Sequence, residues 1–297
     1  MGRSSSFWEK RMTEKTQMDL LPNASSRRTF LTRALAAAAT VMPAAALAGV
    51  TFPQQSAEAM TAPKMPNPKM PNQDTLLKFY PNGSERIFAG NTVICHLPAQ
   101  CRMRDALTDL HFALAQSSVK PKLGLTAPSS YHMTIYNGAD NANREPSKWP
   151  SYVPLDATEK QCNQAVYERM SKATLHCELP IRVVVDVPYT EQYPLATTMR
   201  MKGANAEEEA KLRSIRRQLA PVIGIALPEP DHYEFHITLS YQLAEFTDEE
   251  QKQYRALLRE HVARIVAAQP VLELGNPEYC TFRTMDRFEP LKLIRSI

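Results

Sequence analysis

Between residues 75 and 297 the apolar positions switch repeatedly between a period of two and a period of about 3.6, the alternation that strands and helices produce. Residues 91–97 and 130–137 read as strands, with an amphipathic helix over 99–116 between them. Residues 195–202 and 233–242 read as a second pair of strands around a helix over 206–223. Further helices are predicted over 156–174 and 247–268, the latter opened by Thr247-Asp248-Glu249-Glu250, whose threonine can cap the first turn. The run 181–187 is the richest in β-branched residues and predicts a central strand. Residues 137–154 carry Asn, Pro, Arg144 and Trp149 and read as a long loop, placed to act as a lid or specificity wall.

The two strand–helix–strand units match in size. His96 and His132 are 36 residues apart, and so are Arg200 and His236, which makes the chain a duplication of one β-α-β unit. Each unit delivers an H-x-T triplet on its second strand, His132-Met133-Thr134 and His236-Ile237-Thr238. Side chains alternate faces along a strand, so His132, Thr134 and Tyr136 share one face while Tyr131, Met133 and Ile135 share the other. In the second unit His236, Thr238 and Ser240 oppose Phe235, Ile237 and Leu239. The apolar sets can pack under helices, leaving the His and Thr side chains to line a concavity. The expectation is an α+β fold: two duplicated β-α-β lobes with antiparallel-rich sheets facing a shared cleft, helices outside.

The first 74 residues have a different character. Ser26-Arg27-Arg28-Thr29-Phe30-Leu31 is a twin-arginine export pattern, followed by an uncharged run over 34–50 and the small-x-small site Ala46-Leu47-Ala48, with Ala57-Glu58-Ala59 as a second cleavage candidate. Residues 1–17 are long for the leader of such a signal, which makes Met18 an alternative start. The uncharged run is mostly alanine and is interrupted by Thr40 and Pro43, a poor membrane span, so no stable anchor is expected. Residues 60–74 repeat Lys-Met-Pro-Asn and read as an extended linker. The expected organisation is a signal region over 1–50, a Pro-rich linker over 51–74 and a catalytic domain over 75–297, exported through the twin-arginine translocase to the periplasm.

Charge narrows the chemistry. Beyond residue 60 the chain carries 28 basic and 27 acidic residues, without the basic excess of a nucleic-acid groove, so any anion must be bound locally. Five cysteines (Cys95, Cys101, Cys162, Cys177, Cys280) lack paired C-x-x-C spacing, which argues against a zinc site. Cys95 with Cys101 is a candidate late bridge; a twin-arginine substrate crosses folded, so its core should form without one. No G-x-G-x-x-G or G-x-x-x-x-G-K pattern is present.

Two imidazoles that titrate near neutrality can remove a proton from an attacking water and return one to a leaving oxygen. Thr134 and Thr238, two residues on and on the same face, offer hydroxyl donors to non-bridging phosphate oxygens. Neither strand sets a thiol beside its histidine on that face, and no metal and no cofactor is expected. Arg200 and Lys202 alternate with Met199 and Met201, either reaching the phosphate or lying on a solvated sheet edge. Tyr136 shares the His face and could stack on a base or ribose, whereas the parity of Tyr241 points to the core. His96, equivalent to Arg200, reads as an ordinary strand histidine near the cleft, and His176, His232 and His261 as structural or surface.

Ser130-Tyr131-His132-Met133-Thr134 and Tyr233-Glu234-Phe235-His236-Ile237-Thr238-Leu239 resemble the two-histidine (2H) phosphoesterase superfamily, which includes cyclic phosphodiesterases and 2′-5′ RNA ligase-like proteins, and within it an uncharacterised bacterial branch. The resemblance covers about residues 75–297. It implies a bilobal duplicated fold, catalytic His132 and His236, phosphate-binding Thr134 and Thr238, and no metal. The activity expected is hydrolysis of a small phosphodiester or nucleotide-like substrate, RNA ends included, by a monomer. The alternative is a non-catalytic protein that captures a nucleotide or phosphorylated small molecule.

Overall fold

The computed structural model describes residues 74–227 and 232–297; the twin-arginine pattern, both cleavage sites and nearly all of the Pro-rich linker lie outside the described residues. In chain order the elements are α1 (Thr75–Lys78), β1 (Gly90–His96), α2 (Arg102–Ala115), β2 (Leu123–Leu125), β3 (His132–Asp140), α3 (Glu159–Met170), β4 (Thr174–Leu175), β5 (Ile181–Val185) and α4 (Val187–Gln192). They continue as β6 (Thr198–Gly203), α5 (Ala206–Ile223), β7 (His236–Thr238), β8 (Ser240–Gln242), α6 (Asp248–Ala268), β9 (Leu272–Leu274), β10 (Glu278–Thr284), β11 (Arg287–Leu293) and β12 (Arg295–Ser296).

Helix boundaries follow capping chemistry. Asn205 accepts from the Glu208 amide, Glu207, Glu208 and Glu209 occupy the positive end of the dipole, and Gly224 closes α5 at φ 74°, where a side chain would be strained. Its stripe Leu212, Ile215, Leu219 and Ile223 is fully buried, each side chain contributing roughly 1.5–3 kcal/mol by leaving water. α6 opens with a capping box between Thr247 and Glu250, where the sequence places it. α3 begins at Glu159 rather than 156, because Thr158 and Gln161 form the capping box there. α2 begins at Arg102 rather than 99; Gln269, at the end of α6, accepts from the Met103 amide at 3.1 Å and supplies its cap from afar.

Eight strands form one sheet in the order β11-β10-β1-β3-β7-β6-β5-β9, every neighbouring pair antiparallel. β3 and β7 meet at the centre through Met133 opposite Ile237. Outward from that pair the halves correspond, β1 to β6, β10 to β5 and β11 to β9, so the duplication is an approximate two-fold passing between Met133 and Ile237. The two lobes therefore share one continuous sheet. Its first face packs under α2, α3, α5 and α6 in the main core; the opposite face carries a smaller apolar cluster of Phe79, Phe88, Ile94, Leu243, Cys280, Phe282, Met285 and Phe288.

Three expectations are corrected. The β-branched run is not central: β5 lies next to the sheet's end, burying Ile181, Val183 and Val185 on one face while Arg182 reaches Glu273 and Glu208, and Asp186 then caps α4. The strand expected over 233–242 breaks at Leu239, where the Leu239 and Ser240 amides both donate to the Thr197 carbonyl, and β8 leaves to pair with β2. Residues 137–154 do not form a free lid, since β3 runs on to Asp140, Trp149 is buried with Arg144 4.6 Å from its ring, and Arg144 bonds the Leu155 and Ala157 carbonyls. No helix among the described residues is long and apolar enough to cross a membrane. All five cysteines are buried and free.

Candidate functional site

The strand registers align two rows of side chains across the sheet. One runs His96, His132, Thr238, Thr198; the other runs Ile94, Thr134, His236, Arg200, the central pairings extending the Met133–Ile237 register by one residue each way. Antiparallel partners share a face, so His132, Thr134, His236 and Thr238 all project away from the main core. They line a cleft of about 190 Å³.

Each histidine is oriented the same way. His132 Nδ1 lies 2.6 Å from the Ser130 carbonyl and His236 Nδ1 2.7 Å from the Glu234 carbonyl, two residues back in both cases. A carbonyl only accepts, so Nδ1 carries the proton and Nε2 is left with its lone pair for the cleft. Aromatic neighbours brace the rings: Phe288 is 4.1 Å from His132 between centroids, and Tyr233 stacks on His236 at 6.2 Å. Burial pushes the Tyr233 phenol up to about 12, against the opposing charges of Arg216 and Arg200.

Desolvation at the cleft floor pulls both imidazoles down to about 4; the Ser130 carbonyl opposes this at His132, and the Arg200 charge adds to it at His236. Both are neutral near pH 7, whereas in the unfolded chain they titrate near 6.5. Between those values the unfolded chain binds more protons, so stability that is complete above about pH 6.5 is lost as pH falls toward 4. The urea midpoint should therefore drop on going from about pH 7 to about pH 5, and drop less in a His132→Gln/His236→Gln double variant. An equal drop in both proteins would contradict the assignment.

The outer candidates separate. Arg200 is on the His236 row but is buried, with Nη1 3.0 Å from Glu234 and its guanidinium 3.5 Å from the Tyr193 ring. It acts on His236 through its charge and does not line the cleft. Lys202 is exposed and paired with Asp186 at 3.2 Å, outside the cleft. His96 is the two-fold counterpart of Arg200, its Nδ1 2.9 Å from Glu278 and its ring 6.3 Å from His132.

The two tyrosines exchange the places that strand parity assigns them. Along β1 the step from Ile94 to Val93 matches a two-residue step from Thr134 to Tyr136 on β3, a β-bulge that turns Tyr136 into the core. Its hydroxyl donates to the Ile225 carbonyl at 2.6 Å. The break at Leu239 resets parity in the other strand, and Tyr241 lines the cleft. Tyr136→Phe should cost about 1 kcal/mol of stability and leave substrate KM unchanged, while Tyr241→Ala should raise KM.

Sequence reasoning missed two contributors. The β10–β11 hairpin brings Phe282, Met285 and Phe288 to the cleft; its signal was the alternation of 278–284 and 287–293 around the two-residue turn Met285-Asp286. Lys78, from the four-residue α1, also lines the cleft.

One group among the described residues has metal-ligand geometry: His96, Glu278 and Cys280, with donor atoms within 4.8 Å of one another. His96 is engaged with Glu278, and burial together with the Glu278 charge pushes the Cys280 thiol up, so the trio as folded lacks a thiolate.

A family profile described as 2H-phosphodiest, a domain of unknown function (DUF1868), matches residues 78–192, which include the first H-x-T triplet. The match supports the 2H superfamily and, broadly, phosphoesterase-type chemistry. Among solved structures, the conserved protein of unknown function ATU0111 from Agrobacterium tumefaciens str. C58 is 29% identical, with a TM-score of 0.68 over 75% of this chain and 93% of that one. No curated protein matches the chain.

Proposed function

We propose that this chain is a 2H-type phosphoesterase that hydrolyses small phosphodiesters, of the cyclic-nucleotide or cyclic-phosphate RNA-end kind, without a metal. The observation that carries the proposal is the placement of His132, Thr134, His236 and Thr238 on one face about an approximate two-fold, with each Nδ1 held by a backbone carbonyl. A phosphate between the motifs would accept from both threonine hydroxyls and meet one Nε2 on each side. One imidazole takes a proton from water as the water oxygen bonds to phosphorus; the other, protonated, gives its proton to the ester oxygen as the P–O bond breaks. The phosphate's negative charge favours the imidazolium that the second role requires.

The N-terminal pattern around Arg27 and Arg28 supports export through the twin-arginine pathway and action in the periplasm. A second reading has one observation in its favour. Both imidazoles are neutral near pH 7 in the free cleft, so an unprotonated pair could hold a phosphate or nucleotide without turnover. Incubation with a panel of 2′,3′-cyclic nucleotides and cyclic-phosphate RNA ends, with and without chelator, tests the proposal. Turnover that survives chelation supports it; chelator-sensitive turnover overturns the metal-free chemistry; tight binding in calorimetry with no product favours the binding protein.

A further inference from the structure

A phosphodiester carries one negative charge into the cleft, and the transition state for its hydrolysis spreads further negative charge over the phosphoryl oxygens. The groups described so far do not match that charge. Both imidazoles are neutral near pH 7, the threonine hydroxyls are uncharged, and Arg200 is buried against Glu234 and Tyr193.

Lys78 is the one lysine or arginine among the described residues that line the cleft. Its Nζ lies 5.1 Å from the centroids of both Phe88 and Tyr241, within cation–π range, so the two rings steady the ammonium at the cleft wall. Asp74 and Asp140 also line the cleft, but neither forms an ion pair with Lys78: Asp140 accepts from the amides of Ala142 and Asn143 and from Asn143 Nδ2, and Asp74 sits one helical turn back. The Lys78 charge already reaches the site, being one of the causes that hold His236 in its neutral form.

We propose that Lys78, brought in from a short helix outside the duplicated units, is the fixed cation that binds the phosphate held between the two H-x-T motifs. This rests on the cleft being a phosphate site, but not on turnover there. The two-fold supplies paired histidines and threonines, and Lys78 breaks the symmetry by adding charge from one side only. The cleft then prefers an anionic ester to a neutral one, and binding weakens with added salt.

The test is calorimetric binding of inorganic phosphate and of 2′,3′-cyclic AMP to the full chain at low and high ionic strength, for wild type, Lys78→Met, Lys78→Arg and His132→Ala. Imidazole NMR titration of His236 without ligand accompanies it. Lys78→Met keeps the stem that packs on the rings. It should weaken both ligands by about 10- to 100-fold, flatten the salt dependence and raise the His236 pKa, while Lys78→Arg restores most of the affinity. Unchanged affinity in Lys78→Met with weakened binding in His132→Ala overturns the role of Lys78 and leaves the phosphate site standing. Lys78-dependent binding without turnover of any substrate supports the role and removes the hydrolase reading. Failure of wild type to bind either probe overturns both.

Discussion

Alanine at His236 should lower kcat/KM for a 2′,3′-cyclic nucleotide by about 10²–10⁴-fold, and alanine at His132 by a similar factor. The two losses should not multiply in the double variant, because neither imidazole completes the proton exchange without the other. Both rings sit at the cleft rather than in the main core, so truncation removes a proton carrier without opening a core cavity. Steady-state kinetics beside thermal melts of the same preparations measures this. Folded variants as fast as wild type would remove these histidines from the chemistry.

The second large effect is on stability. Ile237→Ala should cost about 2–5 kcal/mol in urea unfolding. Ile237 is fully buried opposite Met133 and Met199, themselves fully buried, at the junction of the two halves of the sheet. A cavity there cannot close without moving β3 or β7, and those strands set His132 beside Thr238 and Thr134 beside His236. Turnover should therefore fall even at temperatures where the variant remains folded, since small displacements of reacting groups are costly. Full activity in a folded Ile237→Ala protein would show that the four side chains do not depend on this junction for their alignment.

The duplication was legible because it rests on long-range regularity: the equal 36-residue offsets from His96 to His132 and from Arg200 to His236 correspond to paired positions on neighbouring strands. Alternation also assigned His132, Thr134, His236 and Thr238 to a single face. It failed at Tyr136 and Tyr241, because a bulge and a strand break each shift parity, and neither leaves a mark in the pattern of apolar residues. Arg200 was legible as a neighbour of His236 but not as a buried charge, which depends on Glu234 and Tyr193 closing over it. Lys78 left no trace, since a four-residue helix is too short to show a period.

The first lobe borrows its outer strands from the far end of the chain. Gly90 of β1 pairs with Phe282 of β10, whereas the second lobe takes the equivalent strand, β5, from just before β6. A ribosome therefore releases everything the second lobe needs from its neighbouring strand long before the first lobe can cover its open edge. Until residues 278–293 emerge, β1 has no partner on that side and His132 has no Phe288 against it. A nascent chain truncated near residue 277 would expose an unpaired strand edge, the kind of surface that aggregates and that chaperones hold. The β10–β11 hairpin in this sense closes the first lobe, and without it the edge of β1 stays open.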